Sequence, residues 1–342
     1  MKERLIPLDY LRAFACMLVT IGHLIMSFQD SNIINDSLIL NGFIKFIYCF
    51  HVYIFFYCSG YLFEKNKEKL SNRKEEFHFR IVKFINFIIL YILFSGITYL
   101  LKVIFASEVN TKTEYNFLSI LIHYPINQMW YLYAIALIFL FAHVIRSDKS
   151  AYIVLGIALF LKILICFPNI HSTLPIAINY ICHNMIWFVL GQFFAYKKLQ
   201  LNLSFSLLLE LIFIIFFVSA FILNWDSEFT NAILTFLGLL SSIGIICSLT
   251  NNKTTVSGIW KWVSKYMLQI YLLHTMCAAC VRIILLKLGV THIIPHLLIG
   301  LCASFVLPIL CAMIAEKIHI LNIVFFPTKV LKTFFKKCKH SK

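Results

Sequence analysis

The feature that most constrains this chain is a succession of apolar runs, each about twenty residues long, that follow one another from Leu5 to Ile318 with only short polar breaks. A helix rises about 1.5 Å per residue, so about twenty such residues cross a hydrocarbon layer ~30 Å thick. With 61% of its 342 residues hydrophobic and 13% charged, the chain has more apolar side chain than a soluble domain can hide. The expected fold is an all-α integral membrane protein of about ten transmembrane helices, near 5–28, 38–63, 79–105, 128–145, 150–167, 174–196, 203–223, 229–249, 263–287 and 293–318. They form one membrane domain over 1–342, with a basic cytoplasmic tail at 319–342. The first run is too long for a signal peptide and lacks a small-residue cleavage site, so it is read as the first helix.

With the N-terminus inside, 23 Lys and Arg residues fall in the inner segments, and only Lys102, Lys112, Arg282 and Lys287 in the outer ones. Arg12, Lys45 and Lys162 lie within helices. The positive-inside rule predicts this asymmetry and places both termini in the cytoplasm. The formal charge of +15 is therefore spread over cytoplasmic loops, where it meets anionic lipid headgroups, and no basic reading helix points to nucleic acid. The eleven cysteines lie mostly in apolar runs, as buried reduced thiols do, and no metal site is expected. There is no repeat and no linker, so any chemistry has to occur among the helices and their loops.

Ionisable groups at membrane depth cost about 2.5–3.5 kcal/mol each on insertion scales, so they usually face a cavity or a partner. The first helix holds Asp9, Arg12 and His23. Asp9 and Arg12 are three apart and can pair on one face. Eleven residues separate Arg12 from His23, about 1100° of turn and ~16 Å of rise, which puts them on one polar line up the helix. The plainer alternative is a helix-start ion pair and an interhelical hydrogen-bonding histidine. His51, His183 and His274 lie near mid-depth in three other helices, which suggests a polar cavity shared with His23. Ser59-Gly60 near the cytoplasmic end of the second helix allows close backbone approach, with helix packing as the plainer use. Glu210, Lys162 and Asn179 read as boundary or packing residues.

The Arg12 to His23 spacing resembles the opening motif of the acyltransferase-3 family, an Arg and a His separated by ten residues. Phe50-His51-Val52-Tyr53 through Ser59-Gly60-Tyr61-Leu62-Phe63 is similar to that family's second-helix signature. Met129-Trp130-Tyr131-Leu132-Tyr133, Phe188-Val189-Leu190-Gly191, Ile270-Tyr271-Leu272-Leu273-His274 and the exit from Glu316-Lys317 to Phe325-Phe326-Pro327 also resemble family segments, in the family's order. Tyr53 stands where many members have Pro, Ala13 where many have Gly, and no Pro occurs near Phe87.

The resemblance implies transfer of an acyl group, usually acetyl, from cytoplasmic acyl-CoA to a hydroxyl of a carbohydrate or glycolipid at or beyond the outer face, in a bacterial plasma membrane. A hydroxyl needs a base to become a good nucleophile, and His23 is the candidate. Arg12 is the candidate to hold a donor phosphate or carbonyl oxygen, oriented by Asp9. Arg80 and Lys83, with Ser59 and Gly60, are the candidates for the acyl-CoA site, although either cation alone fits ordinary inside charge. His51 and His274 are candidates for the cavity or a proton path. Acetyl-CoA would act as donor substrate, with no bound cofactor. An exporter of a polysaccharide or small anion would suit the same buried charges, but the paired Gly/Pro-broken helices of inverted-repeat transporters are absent. A haem carrier would need two facing histidines at one depth.

Overall fold

The computed structural model describes residues 5–67, 70, 72–108, 115–318 and 322–327, which form helices and no strand. In chain order the helices are α1 (Ile6–Asp30), α2 (Leu38–Tyr48), α3 (His51–Lys65), α4 (Arg73–Ile104), α5 (Phe117–Ile122), α6 (Trp130–Phe141), α7 (Asp148–Ile165) and α8 (Pro168–Thr173). They continue as α9 (Ile176–Lys197), α10 (Leu203–Ile222), α11 (Glu228–Thr250), α12 (Gly258–Lys265), α13 (Met267–Lys287), α14 (Ile293–Lys317) and α15 (Asn322–Phe325). The basic tail expected at 319–342 lies outside the described residues except for 322–327, as do Lys2, Arg4, Lys69 and Lys112.

Seven of the described segments are long and apolar enough to cross a membrane: α1, α2 with α3, α4, α10, α11, α13 and α14. The other three expected spans fold as helices but differ in kind. The helix α6 has only 12 residues, a length that does not cross a ~30 Å layer. In α7 the 18 residues include Asp148, Lys149 and Lys162, and α9 buries Asn179, Asn184 and Gln192. Two expected helices are also interrupted. The second breaks at Cys49-Phe50, where Thr235 Oγ1 donates to the Cys49 carbonyl at 2.7 Å and satisfies an acceptor that a helix end leaves open. The ninth breaks at Tyr266, between α12 and α13.

The described residues divide into two compact units, those within 5–22, 36–76 and 143–265 in the first, and those within 23–35, 77–142 and 266–327 in the second. In the first unit α3 packs against α9, and α10 against α11. The first of these crossings is made by two glycines. A Cβ on Gly60 would overlap the Phe188 carbonyl oxygen, and one on Gly191 the Tyr57 carbonyl oxygen, so the backbones themselves touch. Phe46, Phe50, Phe213 and Phe217 cluster beside the second-helix break, with Phe46 edge to face on Phe50 and Phe217, Phe50 edge to face on Phe213, and Phe46 tilted against Phe213. The outer side of α10 leaves Leu207, Leu208, Leu211, Ile215 and Val218 exposed, an apolar face suited to lipid.

In the second unit α13 packs along α14. Tyr91 of α4 donates to the Ile120 and Leu121 carbonyls at 3.0 and 3.1 Å, holding the short α5 in place. Leu298, Val306, Leu310 and Ile314 of α14 are exposed in the same lipid-facing manner.

Candidate functional site

Each unit carries part of the expected polar set. In the second unit His23, half-buried on α1, meets His274 of α13 with ring centroids 5.4 Å apart. His274 is 1% exposed, and its Nδ1 lies 2.9 Å from both the Ile270 and the Tyr271 carbonyl oxygens. Carbonyls only accept, so Nδ1 carries the proton and Nε2 is left as a lone pair. That buried Nε2 has no hydrogen-bond partner among the described residues.

Beside it, the Tyr271 hydroxyl donates to the Gln128 carbonyl, and Gln128 Nε2 donates to Thr275 Oγ1 at 2.8 Å. Gln128 Oε1 is buried without a donor, so two acceptors in this nest stand open. A buried acceptor left open is costly, and a hydroxyl or water donor would relieve both. Gln128 and Thr275 were not singled out from the sequence, because a single amide and a single hydroxyl in apolar runs carry no spacing signal.

Arg80 and Lys83 belong to the same unit. Arg80 is 7% exposed and its Nη1 donates to the Leu140 and Ala142 carbonyls at 3.1 and 2.9 Å, capping the C-terminal end of α6. Its guanidinium also lies 5.7 Å from the Phe77 ring centre, while the Lys83 ammonium is 5.5 Å from that of Phe79. The structure thus gives Arg80 a helix-capping task that its position in the sequence did not reveal.

In the first unit Asp9 and Arg12 form the expected ion pair at 3.5 Å. Both act electrostatically on the Cys58 thiol of α3. Gly60 itself is consumed in the α3 to α9 crossing, the packing use. His51 stands at the first position of α3 rather than in mid-helix. Its Nδ1 donates to the Ile47 carbonyl at 2.7 Å, across the helix break, and its ring packs on Tyr48.

His183 is held separately in this unit, with Nδ1 3.2 Å from the Lys162 ammonium and 3.7 Å from Glu228. Lys162 is 7% exposed and so belongs to a buried polar cluster rather than to a boundary. Glu210 accepts from Ser241 Oγ at 2.6 Å and Asn179 donates to the Leu174 carbonyl at 3.2 Å, both packing contacts. Of the four histidines, the structure brings His23 and His274 together. Among the described residues no group of His, Cys, Asp and Glu could hold a metal ion.

A family model described as an acyltransferase domain, acyltransferase 3, matches residues 6–313. The chain belongs to the acyltransferase-3 family. No curated protein and no solved structure matches it. This acyltransferase-3 chain is accordingly a multi-pass membrane protein with acyl transfer as its general activity. Its matched region contains Asp9, Arg12 and His23 on α1, Arg80 and Lys83 on α4, and His274 on α13.

Proposed function

We propose that the protein is an O-acyltransferase that moves an acyl group, acetyl by preference, from cytoplasmic acyl-CoA to a hydroxyl of a cell-surface or secreted carbohydrate, with His23 as general base. The observation that carries this reading is the meeting of His23 with the buried His274, in a nest with two acceptors that a hydroxyl could satisfy. In the reaction the acceptor oxygen attacks the thioester carbonyl carbon and the carbon–sulfur bond breaks. The hydroxyl proton passes to His23 and from there to the departing CoA thiolate. An imidazole with its ordinary pKa near neutrality suits both transfers.

His274, its tautomer fixed by two carbonyls, acts as a positioning residue for His23. Arg12, oriented by Asp9, serves the donor's anionic oxygens nearer the cytoplasmic end of α1. The topology that goes with this reading has both termini in the cytoplasm and a bacterial plasma membrane around the protein.

Acetyl transfer from radiolabelled acetyl-CoA, supplied on the cytoplasmic side of inverted vesicles, tests it. Label on glycan is expected from wild type, and His23→Ala at matched expression is expected to lose roughly 10²–10⁴-fold. Equal transfer by both removes His23 from the chemistry. No transfer by either, with donor and acceptor present, leaves the exporter reading.

A further inference from the structure

Positive charge is scarce on the outer side of the proposed topology, where only Lys102, Lys112, Arg282 and Lys287 stand. Lys112 lies outside the described residues, and the other three all belong to the unit that contains His23. Cations on the disfavoured side of a membrane protein call for a reason. Lys287 has one, pairing with Glu108 at 3.1 Å. Lys102 and Arg282 both feel the same carboxylate, that of the exposed Asp30 at the end of α1.

Arg282 is the more informative of the two. It is 5% exposed, and its Nη1 donates to the carbonyl, at 3.1 Å, and to the hydroxyl of Ser27 in the last turn of α1. A cation on the open carbonyls of a helix C-terminus accounts for that contact. It does not account for Nε, which is buried and has no acceptor among the described residues. A guanidinium offers a fork that matches a two-oxygen anion, and here one tine of the fork is unused. Ser27 follows His23 by four residues, about 6 Å along α1 and ~40° around it. Arg282 therefore lies about one helical turn outward from His23, a separation that a single acidic sugar ring can bridge.

We infer that Arg282 receives an anionic oxygen group of the acceptor, a carboxylate or a phosphate, so that the acceptor is an acidic glycan whose neighbouring hydroxyl is presented to His23. The inference rests on the proposed transfer to a carbohydrate, but its test reads binding alone, without acyl-CoA. A failure of transfer and a failure of this subsite are thus separate results.

The full chain in nanodiscs of zwitterionic lipid is titrated with trigalacturonate, with its carboxyl-reduced neutral counterpart, and with glycerol 1-phosphate. Wild type should bind trigalacturonate roughly tenfold more tightly than the neutral trisaccharide, the gain expected of one charge-assisted contact. Arg282→Gln should bring the two to equal affinity while leaving the neutral one unchanged, which also reports an intact fold. Arg282→Lys should keep part of the preference. Equal binding of acidic and neutral sugars by wild type, a preference that survives Arg282→Gln, or no binding of either anion would overturn the inference. So would displacement of trigalacturonate by phosphatidylglycerol at matched concentration, since the cradle would then belong to a lipid headgroup.

Discussion

In the first unit α3 and α9 meet backbone to backbone through Gly60 and Gly191, and two carboxylates, Glu76 and Glu64, are tied to amides or cations. Glu76 there accepts from the Val144 amide at 3.1 Å, from His143 at 3.0 Å and from Arg146 at 2.9 Å, and Glu64 accepts from the Ile145 amide at 3.0 Å. These two carboxylates clamp the segment between α6 and α7. In the second unit the open atoms, acceptors on His274 and Gln128 and a donor on Arg282, belong to the residues around His23, whereas in the first unit the open acceptors Glu64 Oε1 and Gln192 Oε1 lie within the clamp itself. Completed polar bonds stabilise and fix a structure, whereas incomplete ones store a demand that substrate can meet. The difference between the scaffold unit and the site unit is where the open atoms lie, within a packing clamp in one and beside the histidine pair in the other.

The comparison is broken most forcefully at the glycine crossing. Gly60→Ala sets a Cβ on the Phe188 carbonyl, which cannot move aside as a side chain could, and should cost at least about 3 kcal/mol, seen as loss of monodisperse protein and a lower thermal midpoint. Gly156→Ala is its control, because nothing lies within 4 Å of a Cβ there and helix propensity favours the change by up to about 1 kcal/mol. If both substitutions behave alike, the crossing is not what holds α3 to α9.

A smaller loss is expected from Glu76→Gln. Its side chain is 6% exposed, while Arg146 is 43% exposed, so the ion pair is partly screened and the amide contact matters as much. A destabilisation of about 1–3 kcal/mol is expected, with acetyl transfer per folded molecule unchanged. Transfer lost while the thermal midpoint holds would make the clamp part of the site.

The polar line from Arg12 to His23 was legible in the sequence because helical periodicity alone relates residues eleven apart. The Asp9 to Arg12 pair was legible for the same local reason, and so were the apolar helices. What could not be read depends on pairings distant in the chain. The break at Cys49-Phe50 is completed by Thr235, the capping task of Arg80 by the end of α6, and the burial of Lys162 by His183. Each concerns a residue whose partner shares no periodicity with it. The length of the fourth expected span was out of reach for the same reason, since composition cannot distinguish a twelve-residue helix with apolar flanks from a longer one.

His274→Phe keeps a ring of similar shape on α13 but removes the open lone pair. It should lower turnover by roughly ten- to a hundredfold, less than His23→Ala, with KM for acetyl-CoA and the thermal midpoint little changed. His274→Gln, which restores a polar acceptor, should recover part of the rate. A His274→Phe protein with full turnover would return the second unit's histidine pair to ordinary packing.

The smallest expected effect lies at the surface of the first unit, where Lys197 at the end of α9 pairs with Asp148 at the start of α7 at 3.0 Å. The hydrogen bond from the Lys197 ammonium, and after it that from Tyr196, hold the Asp148 carboxyl below the usual range. A carboxyl whose folded pKa is depressed stabilises the fold above its ordinary pKa, and that stabilisation is lost as pH falls through the depressed value. The difference in thermal midpoint between wild type and Asp148→Asn should therefore be present at neutral pH and vanish in acid. It should shrink in molar salt, because an exposed pair is screened. A difference that persists at low pH would mean that Asp148 supports α7 through its place in the first turn, where an acidic residue favours a helix start, rather than through Lys197. The scaffold unit would then depend on its helix ends more than on the charges that join them.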